Sequence, residues 1–279
     1  MPAPASDLDL QQIGLSHPRI KQAVELIKNT APNRHRLFVA EGLWASNAVL
    51  EAGLPVRTFF WCPEAIYSDE ARKRSVELAA RAEVAYRVSE KTMARICERD
   101  KVDGLVSVAQ MPFWEPDTVP LSDGALVVVA DGIEIPGNLG TLIRTLDACG
   151  AECLVLTNRR TRMTHPKVFR GSHGMSLTIP YLEFEQPDDA AEWLKERGFT
   201  VYLADTDASD QPAQHYRHVD YSGRTAIVLG NERYGISRPW YGHGFGAVFV
   251  PMLGAADSLN VSISASVLLY EARARKDGW

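Results

Sequence analysis

Long apolar runs are scarce in this sequence of 279 residues. The longest uninterrupted one, Ala125 to Ala130, is far shorter than the ~20 residues of a membrane-crossing helix. The first residues carry acids where a secretory signal needs a basic start followed by an apolar stretch. These two absences argue against a membrane partner and predict a cytoplasmic protein.

Cysteine and excess positive charge are also lacking. The four cysteines form no Cys-x-x-Cys pair, which predicts reduced, mostly buried thiols and no metal site. The net charge is −5, and binding of nucleic acid by bulk charge depends on Lys and Arg. Any contact with nucleic acid must therefore be local. With 46% hydrophobic and 23% charged residues, the chain is of ordinary globular composition.

Proline marks the predicted domain boundary. Three prolines fall within nine positions of the segment 111–123, which excludes a continuous helix or central strand there. We interpret this segment as a linker between a domain at 16–110 and a domain at 124–279. Residues 1–15 are expected to be a flexible terminus.

The sequence of the first domain predicts a small layer in which strands and helices alternate. Ile20, Ala23, Val24 and Ile27 share one helical face, and Ser16 is a candidate N-cap for this opening helix. Strands and helices then alternate along the chain. The predicted strands are 37–40, 56–61, 84–88 and 105–109, and the predicted helices begin near Trp44, Glu70 and Ser89.

Strands and helices alternate in the second domain in the same way, and its strands are more apolar than those of the first. Such a pattern predicts a mostly parallel sheet covered by helices on both faces. The predicted strands are 125–130, 153–156, 200–203, 225–229 and 247–250, and the predicted helices are 139–149, 188–197 and 258–275. In an open parallel sheet, ligands bind beyond the carboxyl ends of the strands. The loops that follow these strands are therefore the candidate sites.

The first such loop leads into a helix flanked by Gly137 and Gly140. The free N–H groups of a helix start favour an anion such as a phosphate or a carboxylate. Arg144 lies about one turn further and can reach the same anion. Taken alone, the segment is equally compatible with turn glycines and a surface arginine. No Gly-x-Gly-x-x-Gly or phosphate-loop sequence is present.

Two further loops follow later strands. In the second loop, glycines bracket Asn231 and Glu232, so that the backbone can approach a flat ligand closely. The third loop contains small residues and no cation, and it leads to a helix predicted to start at Ser258. Leu259, Ile263, Val267 and Tyr270 form an apolar face of that helix, which suggests a tight interface between subunits.

Together the three loops resemble the signature motifs of the SpoU (TrmH-type) family of SPOUT RNA 2'-O-ribose methyltransferases. The matching segments are Pro136-Gly-Asn-Leu-Gly-Thr-Leu-Ile-Arg-Thr145, Leu229-Gly-Asn-Glu-x-x-Gly-Ile-Ser237 and Val250-Pro-Met-x-Gly-x-x-x-Ser-Leu-Asn-Val-Ser262. The resemblance implies a carboxyl-terminal domain with a trefoil knot and a parallel sheet. Phe38-Val-Ala-Glu-Gly42 and Gly53-Leu-Pro-Val-Arg57 look like the small α/β, ribosomal-protein-like domain that binds the substrate in this family.

The resemblance also implies site residues and partners. S-adenosylmethionine is the expected cofactor, no metal is needed, and a homodimer is expected in which the arginine of one subunit faces the cofactor of the other. The implied catalytic residues are Arg144, Asn138, Glu232, Ser258 and Asn260. The implied cofactor-binding residues are Leu229, Gly230, Asn231, Val250, Met252, Leu259 and Asn260.

RNA binding is expected at two basic patches. One is a stretch free of acidic residues that contains Arg159, Arg160, Arg162, Lys167 and Arg170; the other is Arg34 with Arg36. Ribosomal RNA, of the 23S type, is favoured over tRNA as the substrate because a separate amino-terminal domain accompanies the ribosomal RNA enzymes of the family more often. The alternatives are a tRNA 2'-O-methyltransferase, a base methyltransferase, and a knotted RNA-binding protein that transfers no methyl group.

Overall fold

The structure is a computed structural model, and it describes residues 8–98, 103–205 and 213–278. The chain divides into two compact units, of which one comprises Met1–Pro112 with Thr164–Pro166 and the other Phe113–Met163 with Lys167–Trp279. Residues 1–7 of the predicted flexible terminus lie outside the described residues. Within the described ranges, no helix is both long and apolar enough to cross a membrane.

The first unit contains a mixed sheet of four strands in the order β1-β4-β2-β3. Strand β4 runs antiparallel to both β1 and β2, whereas β3 is parallel to β2. The predicted strand 56–61 is confirmed at both ends. The elements of this unit are α1 (Pro18–Lys28), β1 (Leu37–Glu41), α2 (Gly42–Glu51), β2 (Val56–Trp61), α3 (Asp69–Arg81), β3 (Ala85–Arg87), α4 (Glu90–Arg95) and β4 (Leu105–Gln110).

The start of this unit corrects two predictions. The N-cap of α1 is His17, whose ring accepts a hydrogen bond from the Arg19 N–H at 3.2 Å, so the predicted Ser16 cap is wrong. Proline at the first helical position sets the start of the helix one residue later. Gln12 forms a parallel bridge with Arg87, and Ile13 is buried. Residues 11–13 therefore pair with β3, whereas the sequence predicts a flexible terminus there.

The second unit is built on seven strands in the order β7-β6-β5-β10-β8-β11-β9. Every pairing in this sheet is parallel, as predicted. All residues of β5 and β10 are buried, which is the signature of strands covered on both faces. The elements are β5 (Leu126–Asp131), α5 (Pro136–Ala148), β6 (Cys153–Thr157), α6 (Pro166–Gly171), β7 (Tyr181–Glu183), α7 (Pro187–Glu196), β8 (Thr200–Ala204), β9 (Ala213–His215), β10 (Thr225–Leu229), β11 (Gly246–Phe249) and α8 (Val261–Asp277).

The last helix starts later than predicted. Asn260 is the N-cap of α8, because its side-chain oxygen accepts from the Ser262 N–H at 3.0 Å. Ser258, the predicted first residue of this helix, lies exposed in the preceding loop. A serine can cap a helix as readily as an asparagine can, and only the folded chain shows which of the two does so.

The proline-rich segment contains no helix or strand between residues 112 and 124, as predicted. It lies against α7, where the Pro116 carbonyl accepts hydrogen bonds from the Trp193 indole at 3.1 Å and from Arg197 at 2.7 Å. These contacts fix the beginning of the second unit on its own core.

The four cysteines are free thiols, and three of them, Cys62, Cys149 and Cys153, are buried. Burial raises the pKa of Cys62 to about 11 and that of Cys153 to about 12, and it also raises the pKa of Cys149. The thiolate form that reacts as a nucleophile is therefore scarce at neutral pH. These three residues pack as small apolar side chains, in agreement with the prediction of buried thiols.

Helix α5 approaches the end of α6 at a glycine pair. A Cβ atom added to Gly140 would lie 2.9 Å from the Gly171 Cα and 3.0 Å from the Ser172 nitrogen. Backbone atoms cannot move aside as a flexible side chain can. The close approach of the two helices therefore requires glycine at position 140.

We expect Gly140→Ala to lower the free energy of unfolding by about 1–3 kcal/mol, because it overpacks a backbone contact. The matched control is Gly137→Ala, at a position where an added Cβ meets nothing within 4 Å. In a helix this control is expected to gain up to ~1 kcal/mol. Urea unfolding of both variants measures the difference, and equal midpoints for the two would contradict the assignment.

Candidate active site at the carboxyl edge of the parallel sheet

Three loops of the second unit meet where parallel strands end. They follow β5, β10 and β11 and comprise residues 132–135, 230–237 and 250–260. Strands β5 and β10 are direct neighbours, with Ala130 opposite Leu229, so the first two loops leave the sheet side by side. This is the edge at which parallel sheets bind their ligands.

Glu232 connects the second loop to the start of α5. Its carboxylate accepts hydrogen bonds from the Glu134 N–H at 3.0 Å, the Ile135 N–H at 3.1 Å and the Asn138 side-chain amide at 2.9 Å. The sequence predicts an anion at this helix start, and the structure shows that one is supplied by the chain itself. The second motif thus caps the helix that carries the first motif.

The environment of Glu232 favours its charged form. Burial alone would raise the pKa of this carboxyl group. The hydrogen bonds from the backbone of Glu134, the Asn138 amide and the backbone of Ile135 outweigh burial and hold the pKa of Glu232 below its ordinary value of 4.5. Glu232 is therefore an ionised acceptor at neutral pH and cannot donate a proton there.

The third loop joins the same network through Asn260. Its side-chain amide donates to the Asn138 side-chain oxygen at 3.1 Å, while its own oxygen accepts from Ser262 Oγ at 2.6 Å. Glu232, Asn138 and Asn260 thus form one hydrogen-bonded chain, which we call the amide relay. It contains one residue from each of the three sequence motifs, all predicted as site residues.

Two other predicted site residues lie outside this chain of hydrogen bonds. Arg144 is exposed on α5 and has no hydrogen-bond or ion-pair partner among the residues that the structure describes. Within the same described ranges, Ser258 donates only to the neighbouring Asp257 carboxylate, at 3.2 Å. Both side chains are thus available to a ligand, and neither is fixed by the amide relay.

Sequence reasoning missed a buried carboxylate beside the relay. Asp131, at the end of β5, is 1% exposed and accepts hydrogen bonds from Thr157 Oγ1 at 2.9 Å, Asn158 Nδ2 at 2.6 Å and the Ser237 N–H at 2.7 Å. Asn158 also donates to Ser237 Oγ at 3.1 Å. Asp131 therefore fixes the ends of two neighbouring strands and the second loop. An acid that ends an otherwise apolar strand was the available signal.

The predicted cofactor residues of the second loop have distinct structural roles. Leu229 is buried at the end of β10. A Cβ atom on Gly230 would lie 2.2 Å from the Gly235 carbonyl carbon, so the loop closes on itself only with glycine there. The Asn231 side chain donates to the Gly132 carbonyl at 2.8 Å and accepts from two backbone N–H groups of its own loop. Asn231 thus shapes the loop.

The third loop is more open. Val250 and Met252 are half-buried, Leu253 is 96% exposed, and Leu259 is 36% exposed. Apolar side chains that face solvent in a loop beyond a strand end are suited to contact a ligand or a protein partner.

The basic patches differ in their surroundings. Asn33 closes a turn through two hydrogen bonds with the Leu37 backbone, at 2.7 and 2.9 Å, and Arg34 is exposed on this turn while Arg36 is half-buried. In the second unit, Arg159 pairs with Glu183 at 3.1 Å. The stretch itself contains no acidic residue, but the folded chain places the acid Glu183 beside it. The other predicted residues of this patch are exposed or half-buried: Arg160, Arg162, Lys167 and Arg170.

Comparison with known families agrees with the division into two units. Residues 125–270 match the SpoU rRNA Methylase family, and residues 17–107 match the MRM3-like substrate binding domain. The first match contains all three motifs. The second contains the whole mixed sheet except the last residues of β4.

Individual relatives agree with the family match. The chain is 29% identical over 243 residues to the 23S rRNA (uridine(2479)-2'-O)-methyltransferase of Streptomyces viridochromogenes, which covers 84% of this chain and 82% of the relative. It is 38% identical over 154 residues to the tRNA (guanosine(18)-2'-O)-methyltransferase of Thermus thermophilus, covering 54% and 75%. The AdoMet-bound rRNA methyltransferase from Sinorhizobium meliloti superposes with a TM-score of 0.83 at 26% identity, over 94% of this chain and 97% of that one. The resemblance inferred from the motifs is confirmed.

The depressed pKa of Glu232 predicts a pH-dependent stability. A carboxyl group whose pKa is lower in the folded state stabilises the fold above its ordinary pKa, and this contribution is lost as the pH falls through the folded value. We expect the stability advantage of the native chain over Glu232→Gln to be present at pH 7 and to shrink below about pH 4.5. Urea unfolding from pH 7 to pH 3 measures it.

An Asn138→Ala background supplies the control for this experiment. Asn138 provides one of the hydrogen bonds that depress the pKa of Glu232, so the pH dependence should weaken in that background. A stability difference that stays constant from pH 7 to pH 3 would contradict the capping role of the Glu232 carboxylate.

Proposed function

The chain belongs to the SpoU rRNA methylase family, and from this membership we propose that it transfers the methyl group of S-adenosylmethionine to a ribose 2'-hydroxyl of RNA. The observation that carries the proposal is the amide relay. It joins all three family motifs by direct hydrogen bonds at one edge of the sheet.

The residues present fit the cofactor. Segment 250–256 carries no charged side chain, which suits an uncharged adenosine better than a phosphate. We assign contacts with the cofactor to the backbone of Gly230, Val250 and Leu259 and to the neighbouring residues Leu229, Asn231, Met252 and Asn260. When bound, S-adenosylmethionine supplies an activated methyl group on a sulfonium. The protein has to align the 2'-oxygen with that methyl carbon and its bond to sulfur.

Arg144 is proposed to act on the RNA. Its planar guanidinium has N–H donors and no acceptor, and it can hold a phosphate through two parallel hydrogen bonds. In that position it stabilises the negative charge that develops on the 2'-oxygen as its proton leaves. Asn138, Glu232 and Asn260 hold the loops around it, and the exposed Ser258 orients the ribose.

Large-subunit ribosomal RNA is the proposed substrate. One relative that spans most of both chains acts on 23S rRNA, whereas the tRNA enzyme matches about half of this chain. Residues 17–107 belong to a substrate-binding domain, and the exposed turn with Arg34 and Arg36 is its proposed contact with RNA. In the catalytic unit the proposed contacts are Arg159, Arg160, Arg162, Lys167 and Arg170.

Three finer features complete the proposal. The loops 230–237 and 250–260 form a trefoil knot, the protein acts in the cytoplasm, and two copies associate.

The association is supported by an apolar strip on α8, where Ile263 is 51% exposed and Tyr270 is 43% exposed. Helices α5 and α8 are in contact through the hydroxyls of Thr145 and Ser266, at 3.2 Å. A second copy on this strip would therefore also lie near the helix that carries Arg144.

Transfer of labelled methyl from S-adenosylmethionine to a panel of unmodified ribosomal and transfer RNAs tests the reaction. Digestion of the products to nucleosides should yield a 2'-O-methylnucleoside from 23S rRNA. A methylated base would instead indicate a base methyltransferase, and a product from tRNA alone would overturn the proposed substrate. Binding of the cofactor without transfer to any RNA would favour an RNA-binding protein that has lost the reaction.

We expect Arg144→Ala to lower the rate of methyl transfer by about 10²–10³-fold, the usual effect of removing one group that stabilises developing charge. Its dissociation constant for S-adenosylmethionine should stay nearly unchanged, because Arg144 is assigned to the RNA. The matched control is Arg275→Ala, at the far end of α8. Near-normal turnover of Arg144→Ala would refute the assigned role.

We expect Ile263→Glu to convert the dimer into a monomer, because it introduces a charge into the apolar strip that the second copy covers. Sedimentation velocity measures the change. Val76→Glu is the control, since it places the same charge on an exposed apolar position of α3 in the other unit. Monomeric native chain at micromolar concentration would disprove the proposed association.

A further inference from the structure

A polar cleft lies beside the candidate active site, at the ends of β6 and β7. These strands are parallel neighbours, and the Phe184 N–H continues their pairing by donating to the Leu156 carbonyl at 3.0 Å. The cleft has a volume of about 490 Å³, within the usual size range of ligand sites. Its lining residues are Asn158, Arg159, Arg160, Glu183, Phe184 and Glu185.

The charges around the cleft do not suit a phosphate. Arg159 already pairs with Glu183 at 3.1 Å, and both side chains remain 38% exposed. Glu185 adds a second exposed carboxylate, and Arg160 adds a second exposed guanidinium. Two carboxylates repel an anion, so the cleft as a whole is not an anion site. It offers donors from the arginines and acceptors from the glutamates within one space.

An aromatic side chain adds a flat apolar surface to these groups. Phe184 is half-buried and packs against the Trp193 ring, with the ring centroids 5.9 Å apart. Its position is fixed by the core of the second unit. A fixed aromatic surface beside donors and acceptors is the combination by which proteins recognise unpaired bases of RNA.

The cleft is also attached to the active-site loops. Asn158, one of its lining residues, donates to Asp131 at 2.6 Å and to Ser237 at 3.1 Å. Three residues further on, Thr161 donates to the Glu134 carbonyl at 2.8 Å, in the loop that Glu232 caps. A ligand in the cleft would therefore be held at a fixed distance from the amide relay.

We propose that this cleft binds an unpaired guanine base of the substrate RNA, at a nucleotide other than the methylated one. This inference depends on the proposed function, because it takes RNA as the substrate. Guanine presents the N7 and O6 acceptors, which match a guanidinium fork, together with the N1 and N2 donors, which match a carboxylate. Adenine has an acceptor at N1 and a single donor group, the N6 amine, so it cannot give a carboxylate the two adjacent donors that guanine offers. The cleft thus selects the sequence that flanks the target ribose.

The affinities of three mononucleotides, measured in separate titrations, test the inference without any methyl transfer. Full-length protein, saturated with S-adenosylhomocysteine, is titrated with guanosine, inosine and adenosine 5'-monophosphates. Their phosphates are identical, so differences arise from the base. The guanine nucleotide should bind about tenfold more tightly than the inosine nucleotide, the factor that corresponds to 1.4 kcal/mol and to one lost hydrogen bond to a charged group. Equal binding of all three would overturn the proposal.

Two variants locate the preference. In the double variant Glu183→Gln, Glu185→Gln, the affinity for the guanine nucleotide should fall to that for the adenine nucleotide. The control is Glu196→Gln, which changes an exposed glutamate at the end of α7 and should retain the full preference. If the double variant keeps the preference, the base binds elsewhere and the proposal is wrong. Because both carboxylates are exposed, thermal unfolding of the double variant should match that of the control.

The outcomes also separate this inference from the proposed function. If the protein methylates RNA but binds the three nucleotides equally, the cleft assignment is wrong and the proposed reaction stands. A guanine preference lost in the double variant, in a protein that transfers no methyl group, would support the cleft and refute the reaction. Loss of affinity for all three nucleotides on Arg159→Ala, with no preference among bases, would identify a phosphate site and overturn the proposal.

Discussion

The hydrogen bonds from Asn138 to Glu232 and from Asn260 to Asn138 hold the candidate site together. Asn138 lies in the first turn of α5, whereas Glu232 and Asn260 lie on the loops after β10 and β11, 94 and 122 residues further along the chain. Because Glu232 caps α5, the same contact that joins the loops also sets where the helix carrying Arg144 begins. The position of Arg144 therefore depends on a carboxylate about 90 residues further along the chain.

A second layer of contacts supports this arrangement from inside the sheet. Asp131 is a buried carboxylate, and removing a charged group from water is costly unless hydrogen bonds compensate. Three donors satisfy it, from β6, the residue after β6 and the second loop. Glycine contributes in the opposite way, through the absence of a side chain. Gly140 and Gly230 let backbone segments approach so closely that no Cβ atom would fit.

The sequence predicted most of this architecture, and its errors have physical causes. Long apolar strands such as 225–229 were found with their exact ends because burial on both faces leaves a clear signal. Strands β7 and β9 have three residues each, too few for a period to be recognised. The cap predicted at Ser16 and the helix start predicted at Ser258 were wrong because neighbouring residues could begin the helix equally well and the choice depends on the fold.

The site shows the same limit. Asn138, Glu232 and Asn260 were predicted because the family motifs contain them, and the structure adds how they bond. The sequence did not predict roles for Asn158 and Glu183, because their contacts are with residues that are distant in sequence. Arg159 illustrates the point well. Arg160 and Arg162 follow it in sequence, whereas its partner in space is the acid Glu183, so the patch is less basic in the folded chain than in the sequence.

The all-parallel sheet also constrains how the protein is made on the ribosome. Leu126 of β5 pairs with Thr225 of β10, about 100 residues later in the chain. At a synthesis rate of ~5–20 residues per second, β5 is complete roughly 5–20 s before its central neighbour exists. During that interval its apolar edge is open on one side, which is the condition under which strands associate with the wrong partner. The strand order thus sets how long β5 is exposed to mispairing during synthesis.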